Sequence, residues 1–235
     1  MKILILSDIH ANIEALEAIR EEYDYPLCLG DLVDYGPSPK ECIDFIKNNA
    51  HAVVRGNHDN AVAFRIDCKC SEAYKQMSVK TRELMWNILG EEEINYLSSL
   101  PSNRVIELGG SKFFLTHATP TDNLFKYLPP DTPEHVWQQE IEGVDADFVL
   151  LGHTHIPMIK KVGKTTIINP GSVGQSKDVP AVASYAVWND GEVEIKRVAY
   201  DINKTIEKIL STPLDTHIKS NLVTVLEYGH LRESL

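Results

Sequence analysis

Five short segments rich in metal-ligand side chains constrain this sequence more than any other feature. They are residues 8–10, 30–34, 56–59, 116–118 and 152–155. Each follows a hydrophobic run and contains the glycine, asparagine or aspartate residues that are typical of a turn. Because hydrophobic runs bounded by such turns are typical of buried strands, we expect the five segments to lie at strand ends. A fold that brings these ends together would collect carboxylate, imidazole and amide groups in one site.

The N-terminal part of the chain alternates between two hydrophobic patterns. Residues 2–6, 25–29 and 52–54 are predicted strands, whereas residues 13–20 and 40–48 carry apolar side chains at helical spacing. This alternation predicts an α/β fold with a largely parallel sheet. In such a fold the catalytic groups lie on the loops that follow the carboxyl ends of the strands.

The rest of the chain is predicted to complete one domain that spans residues 1–235. Residues around 61–98 are predicted to form a helical, cap-like segment, and C-terminal helices are expected around 201–228. A further helix is predicted at 133–142. The other predicted strands are 102–108, 112–115, 148–151, 165–168, 184–188 and 192–198.

Composition limits the partners and the location of the protein. The formal net charge is -11 and no block of Lys or Arg offsets it, so an extended nucleic-acid-binding face is not expected. No apolar run reaches the roughly 18 residues that a membrane helix needs. Four cysteines in a chain of this size fit a reducing cytoplasm. Cys68 and Cys70 have no assigned role, because a structural zinc site usually needs a second ligand pair.

The side chains in the five segments match the ligand preferences of transition metals. Carboxylate and amide oxygens combined with imidazole nitrogens suit manganese, iron, zinc or cobalt. The candidate ligands are Asp8, His10, Asp31, Asn57, His117, His153 and His155. Two divalent cations held side by side are used to hydrolyse phosphate esters, so the sequence predicts an enzyme that acts on a small phosphate ester.

In this order, the five segments resemble the signature of the calcineurin-like metallophosphoesterase superfamily. That signature reads Asp-x-His, Gly-Asp-x-x-Asp, Gly-Asn-His-Asp/Glu, a single His, and Gly-His-x-His, and the match covers residues 3 to about 175. Residues 169–175 are similar to a segment of the small stand-alone bacterial and archaeal members. The resemblance implies a four-layer αββα sandwich of two mixed β-sheets flanked by helices, which some schemes class as α+β.

The resemblance also implies two metal sites that share the carboxylate of Asp31. The other ligands would be Asp8, His10 and His155 for one cation, and Asn57, His117 and His153 for its neighbour. Manganese is the expected ion, with iron, zinc, cobalt or nickel as alternatives. A hydroxide that bridges the two cations would attack the phosphorus.

Several residues beside the ligands have roles that the sequence leaves as alternatives. His58 is the expected general acid with Asp59 orienting its imidazole, and the alternative for His58 is a structural role. Asp34 either supports the site through hydrogen bonds or initiates the turn at Tyr35. Asn12 either caps a helix whose N-terminus faces an anion, or caps that helix and does nothing more.

Two positions differ from the phosphatase members of the superfamily. Phosphoprotein phosphatases and diadenosine-tetraphosphate hydrolases usually read Gly-Asp-x-x-Asp-Arg-Gly, and Tyr35 replaces the Arg that clamps the substrate phosphate. Arg55 precedes Gly56 as in those phosphatases, and Tyr35 and Arg55 are candidates either for support of the metal ligands or for contact with substrate. Asp59 replaces their usual Glu.

The missing Arg favours a phosphodiesterase that acts on a small phosphodiester or a nucleotide-like substrate. The nearest alternative is a phosphomonoesterase, such as a nucleotide or phosphoprotein phosphatase, or a dinucleotide polyphosphate hydrolase. A more distant alternative is a non-catalytic interaction scaffold on the same fold. The expected location is the cytoplasm with no membrane partner, and the oligomeric state is left open.

Overall fold

The computed structural model describes residues 1–231. Its strands are β1 (Lys2–Leu6), β2 (Tyr25–Cys28), β3 (Ala52–Val53), β4 (Asn103–Leu108), β5 (Ser111–Thr116), β6 (Phe148–Leu150), β7 (Met158–Val162), β8 (Thr165–Asn169), β9 (Val182–Asn189) and β10 (Glu192–Ala199). Its α-helices are α1 (Ile13–Ala18), α2 (Pro39–Asn49), α3 (Asn57–Phe64), α4 (Lys75–Ile88), α5 (Glu91–Ser99), α6 (Glu134–Glu140), α7 (Ile202–Ser211) and α8 (Thr216–Tyr228). A 3-10 turn at Glu72–Tyr74 leads into α4.

The strands form two mixed sheets of five strands each. The first has the order β10-β9-β1-β2-β3, and the second has the order β4-β5-β6-β8-β7. The three neighbours β1, β2 and β3 are parallel in one sheet, as are β5, β6 and β8 in the other. The remaining pairs are antiparallel. The predicted parallel arrangement therefore holds for the three N-terminal strands, and both sheets are mixed, as the family resemblance implies. The hairpin of β9 and β10 adds antiparallel pairs to the first parallel core, and the edge strands β4 and β7 each add one to the second.

Alternation along β1 shows how the layers are held together. Ile3 and Ile5 belong to the apolar cluster between the two sheets, whereas Leu4 and Leu6 belong to the cluster beneath α1 and α2. Successive side chains of a strand point to opposite faces, so a strand buried on both faces is apolar throughout. Each fully buried Ile or Leu contributes about 1.5–3 kcal/mol to stability.

Aromatic side chains fill the space between the sheets. Phe113 stacks on Phe148 with ring centroids 5.1 Å apart, and Trp188 of the first sheet packs edge-on against Phe113 at 5.4 Å. On the outer face of the second sheet, Trp137 of α6 packs against Val149 and other apolar residues. Helices therefore cover the outer face of each sheet, which confirms the predicted αββα sandwich.

Strand β7 is the one element that the sequence pattern does not indicate. Only its ends, Met158 and Val162, are buried, and the lysines between them disrupt the apolar alternation. An edge strand needs no second buried face, and charged side chains on an edge oppose pairing with other chains. No helix in the described part of the chain is long and apolar enough to cross a membrane.

The loops after the parallel strands are connected by their backbones. The Asp8 N–H donates to the Gly30 carbonyl at 3.0 Å, and the Gly152 N–H donates to the His117 carbonyl at 2.8 Å. A Cβ atom on Gly56 would lie 2.0 Å from Oδ1 of Asp31, so only glycine permits the approach of these two loops. The carboxyl ends of both sheets thereby meet at one edge of the sandwich.

Candidate metal centre

Three buried histidines in these loops, His10, His117 and His155, point their Nε2 atoms toward the same region between the loops. Each Nδ1 atom faces a backbone carbonyl, which can only accept a hydrogen bond, so Nδ1 carries the proton and Nε2 of the neutral ring is a bare acceptor. The Nδ1–carbonyl distances are 3.2 Å for His10 to Val33, 2.8 Å for His117 to Leu29 and 2.7 Å for His155 to Gln175. This is how proteins orient histidines toward metals.

Two of these bare acceptors face each other. Nε2 of His10 lies 3.1 Å from Nε2 of His155, and Oδ1 of Asp8 lies 3.3 Å from the latter atom. Oδ1 of Asp8 is buried and has no hydrogen-bond donor among the described residues. Burial lowers the pKa of both imidazoles, which disfavours a proton between them. A divalent cation fits this group, because it would satisfy all three lone pairs at once.

A second group of acceptors lies beside the first. Nε2 of His117 lies 2.9 Å from Oδ1 of Asn57 and 3.3 Å from Oδ2 of Asp31. Nδ1 of His153 lies 3.1 Å from the same Asn57 oxygen. The Asn57 amide nitrogen donates to the Cys68 carbonyl at 2.8 Å, which directs the amide oxygen toward the histidines.

Asp31 and Asp8 lie between the two groups. Oδ2 of Asp31 is 3.3 Å from Nε2 of His117 and 3.7 Å from Nε2 of His10. Ligand atoms of Asp8, His10 and His155 lie within 4.8 Å of one another. Those of Asp8, Asp31 and His117 also lie within 4.8 Å of one another. The structure thus brings all the predicted ligands together. The assignment of each ligand to a particular cation, including the bridge at Asp31, stays a prediction.

The backbone of this region is strained. Many non-glycine residues of the loops have left-handed φ values, each of which costs on the order of 1–2 kcal/mol. They are Asp8 (54°), His10 (46°), Asp31 (56°), Asp34 (75°), Tyr35 (61°), His153 (66°) and His155 (62°). The surrounding fold holds the ligand side chains in an arrangement that the isolated loops would not prefer.

The structure shows that Asp34 orients His58. Nδ1 of His58 donates to Oδ2 of Asp34 at 2.7 Å, and Oδ1 of Asp34 accepts from the Thr81 hydroxyl and from the Tyr35 N–H at 3.1 Å. Both alternatives for Asp34 therefore hold, because it supports the site and also stabilises the turn. Burial lowers the pKa of His58, but the charge of Asp31 and the Asp34 hydrogen bond outweigh it and raise the pKa to about 9.

The prediction that Asp59 orients His58 is wrong. Its carboxylate accepts from the backbone N–H groups of Asp31 and Leu32, both at 2.8 Å, and of Gly56 at 2.9 Å. The last of these completes the capping box of α3. Adjacent residues on a helix point in different directions, so Asp59 supports the metal-binding loops while His58 faces the cavity.

Asn12 corresponds to the simpler of its two alternatives. Its side-chain oxygen accepts from the Ala15 N–H at 3.2 Å, which caps α1, and its nitrogen donates to the Gly174 carbonyl at 3.0 Å. Because α1 has only six residues and its N-terminus is capped in this way, the structure favours the capping role over an anion site. Asn12 instead connects α1 to the loop that follows the last metal-binding segment.

Arg55 does not line the active-site cavity, so its predicted contact with substrate is wrong. Its guanidinium donates to the carbonyls of Ser98 at 2.9 Å and Leu100 at 3.0 Å, and it stacks over Phe64 at 4.9 Å. These carbonyls belong to the end of α5, which has no further helical N–H groups to satisfy them. The role of Arg55 is to hold α5 against the end of β3.

A cavity of about 570 Å³ opens in front of the ligand cluster. His58 and Tyr35 lie on its wall, and Tyr35 packs against the rings of His58 at 4.8 Å and His10 at 5.0 Å. Other lining residues are Lys69, Cys70, Tyr74, Phe125, Tyr127 and Lys177. Sequence reasoning missed Tyr74, Phe125, Tyr127 and Lys177, because they lie outside the metal-binding segments and no local pattern marks them.

The two-sheet fold and the ligand cluster at its edge define a metallophosphoesterase. Residues 1–190 match the profile of the calcineurin-like phosphoesterase superfamily domain, and the chain belongs to that family. The predicted family and the predicted enzyme class, a metal-dependent phosphoesterase, are confirmed.

Known relatives extend over most of the chain. It is 32% identical over 237 residues to an uncharacterized protein of Methanocaldococcus jannaschii, covering 90% of this chain and 93% of that protein. It is 26% identical over 192 residues to the phosphodiesterase YfcE of Escherichia coli, covering 75% and 82%. The crystal structure of a metallophosphoesterase from Sphaerobacter thermophilus is 29% identical, with a TM-score of 0.77 and coverage of 94% and 98%.

The role found for Asp59 predicts a large effect on stability. In Asp59→Ala three buried N–H groups lose their acceptor, each at about 1–3 kcal/mol, so the free energy of unfolding should fall by more than about 3 kcal/mol. Asp67→Ala is the control, because Asp67 is exposed and accepts only from the Lys69 N–H. Urea unfolding followed by circular dichroism measures both. Wild-type stability of Asp59→Ala would contradict the assignment.

Proposed function

We propose that this protein hydrolyses a small phosphodiester or nucleotide-like substrate at two adjacent divalent cations in the cytoplasm. The observation that carries the proposal is the pair of buried acceptor groups that meet at Asp31. Buried carboxylate, amide and imidazole ligand atoms grouped in this way favour positive charge, and two cations would supply it. The free cysteines are consistent with a reducing compartment.

The proposed ligand sets are those that the family resemblance implies, and the distances among the ligand atoms support them. Asp31 would serve both cations, since its Oδ2 lies 3.3 Å from Nε2 of His117 and 3.7 Å from Nε2 of His10. The first cation would also be held by Asp8, His10 and His155, and the second by Asn57, His117 and His153. The mixture of oxygen and imidazole ligands suits manganese, with iron, zinc, cobalt and nickel as alternatives. When bound, the pair would activate a water molecule for attack and neutralise charge on the phosphoryl oxygens.

The proton donor in this proposal is His58. Its ring lies on the cavity wall and its Nδ1 is engaged by Asp34, so Nε2 is free to donate to the leaving-group oxygen. Tyr35 packs on the same ring and limits its rotation. The pair His58–Asp34 therefore replaces the pair His58–Asp59 that the sequence suggested.

The preference for a diester is supported by the residue at position 35. A diester carries one negative charge and a monoester carries two, so a monoester benefits more from a guanidinium beside the metals. Tyr35 offers no charge at that place, and it is buried among the rings of the site. The similarity to an Escherichia coli protein named a phosphodiesterase points in the same direction.

The metal content of the protein is the first test. After reconstitution with manganese, elemental analysis should find about two ions per chain. His155→Ala should lose metal, because it removes one ligand of a closely packed group. His217→Ala is the matched control, since His217 lies exposed on α8 and bonds only to Asn221 among the described residues. Wild-type protein that retains no metal would overturn the proposal.

A comparison of two chromogenic substrates tests the diester preference. With manganese, bis-p-nitrophenyl phosphate should be hydrolysed faster than p-nitrophenyl phosphate. If one site is responsible for both activities, Asp31→Asn should lower each of them by at least about 100-fold, because it weakens the binding of both cations. A faster reaction with the monoester would favour the phosphomonoesterase alternative.

Leaving-group dependence tests the role of His58. His58→Asn should lower turnover of a phenyl diester of thymidine 5′-phosphate by about 100-fold or more, because phenolate needs a proton as it departs. The corresponding p-nitrophenyl diester should lose less, since its leaving group is stable as an anion. Metal content should not change. Asp34→Asn should show the same pattern more weakly, and equal losses for the two substrates would assign the proton to another group.

A further inference from the structure

Two lysines in the cavity are held by aromatic rings. Nζ of Lys177 lies 5.5 Å from the ring centre of Tyr74 and 6.0 Å from that of Tyr127, and Nζ of Lys69 lies 4.2 Å from the ring centre of Phe125. Within residues 1–231, neither ammonium forms an ion pair with a carboxylate. A ring face attracts a cation but does not neutralise it or accept its three hydrogen bonds.

The contrast with other lysines makes this arrangement informative. The chain has a net charge of -11, so acidic partners are abundant. Lys196 pairs with Glu21 at 2.9 Å, and Lys208 pairs with Glu14 at 2.5 Å. The cavity is thus a place where lysine charge is left uncompensated in an acidic protein. Such a site attracts an anionic ligand.

The position of Lys177 relates this charge to the metal-binding loops. Its backbone N–H donates to the His155 carbonyl at 3.5 Å, and the carbonyl of Gln175, two residues earlier, accepts from Nδ1 of His155. Lys177 and the ligand cluster therefore border the same cavity from adjacent positions. Lys69 borders the same cavity, beside Cys70 and the segment that leads to α4.

The cavity has room for more than the phosphate that is hydrolysed. Its volume of about 570 Å³ lies within the range of about 300–1,000 Å³ that is typical of sites for whole small molecules. Tyr74, Phe125 and Tyr127 add flat apolar walls, against which a planar base can stack. The charge of the lysines and the walls beside them are therefore available to the part of the substrate that does not react.

We propose that Lys177, with Lys69, binds a second phosphate of the substrate, separate from the phosphodiester that is hydrolysed. The inference rests on the proposed function and narrows its substrate to a nucleotide-like diester that carries an additional phosphate monoester. Lysine binds such a dianion as a point charge with three donors. The lysines thus supply, for the non-reacting phosphate, the positive charge that Tyr35 does not supply beside the metals.

A pair of substrates that differ only in this group tests the proposal. Thymidine 5′-(p-nitrophenyl phosphate) is compared with its 3′-phosphorylated derivative, using the manganese-loaded enzyme. The derivative should have a kcat/KM about tenfold higher, mainly through a lower KM, which corresponds to one good charge-assisted contact. Lys177→Gln should reduce this ratio below about twofold, and Lys69→Gln should reduce it partly. Lys161→Gln, an exposed lysine on β7, is the control and should keep the wild-type ratio.

Calorimetry with nucleotides that contain no phosphodiester separates this inference from the proposed function. Manganese-loaded protein should bind thymidine 3′,5′-bisphosphate about tenfold more tightly than thymidine 5′-monophosphate, and Lys177→Gln should lose that difference. If the bisphosphate is preferred but no diester is hydrolysed, the proposed reaction fails and the second phosphate site stands. Equal affinity of the wild type for the two ligands overturns the inference. A preference that persists in both lysine variants also overturns it.

Discussion

The buried carboxylate of Asp31 is the centre on which the rest of the site depends. It is only 1% exposed, its Oδ1 accepts from the His58 N–H at 2.8 Å, and its Oδ2 faces the Nε2 atoms of His117 and His10. A buried carboxylate without a cationic partner costs several kcal/mol. Divalent cations would offset this cost, so metal binding and the stability of the loops are coupled.

The fold brings this cluster together by packing two sheets face to face, so that the carboxyl ends of their parallel strands meet at one edge of the sandwich. Asp8 and Asp31 follow neighbouring strands of one sheet, while His117 and His153 follow neighbouring strands of the other. Left-handed backbone conformations in these loops are held by the packed sheets and by hydrogen bonds such as those to Asp59. These strained conformations lower the stability of the loops, and they hold the ligand side chains in place before substrate binds.

The residues proposed to carry out the reaction and those proposed to select the substrate lie in different parts of the molecule. The ligands and His58 come from the loops after the strands, whereas the walls of the cavity come from the 3-10 turn before α4 and from loops that carry Phe125 and Lys177. Relatives that keep the metal-binding segments can therefore differ in these walls. Family membership and the ligand cluster accordingly indicate the reaction class, whereas the shape and charge of the cavity determine which substrate binds.

The sequence by itself determined the α/β class and the candidate metal ligands, because strand periodicity and ligand chemistry are local properties of the chain. The four-layer sandwich was implied by the resemblance of the five segments to a known family. Tertiary structure decided which carboxylate contacts His58. Asp59 is its sequence neighbour, but Asp34 lies against its ring, since side-chain direction on α3 and the turn after Asp31 set the contact. The tertiary structure also places Arg55 outside the cavity and Lys177 on its wall. Such contacts join residues far apart in sequence, and only the packing of the loops defines them.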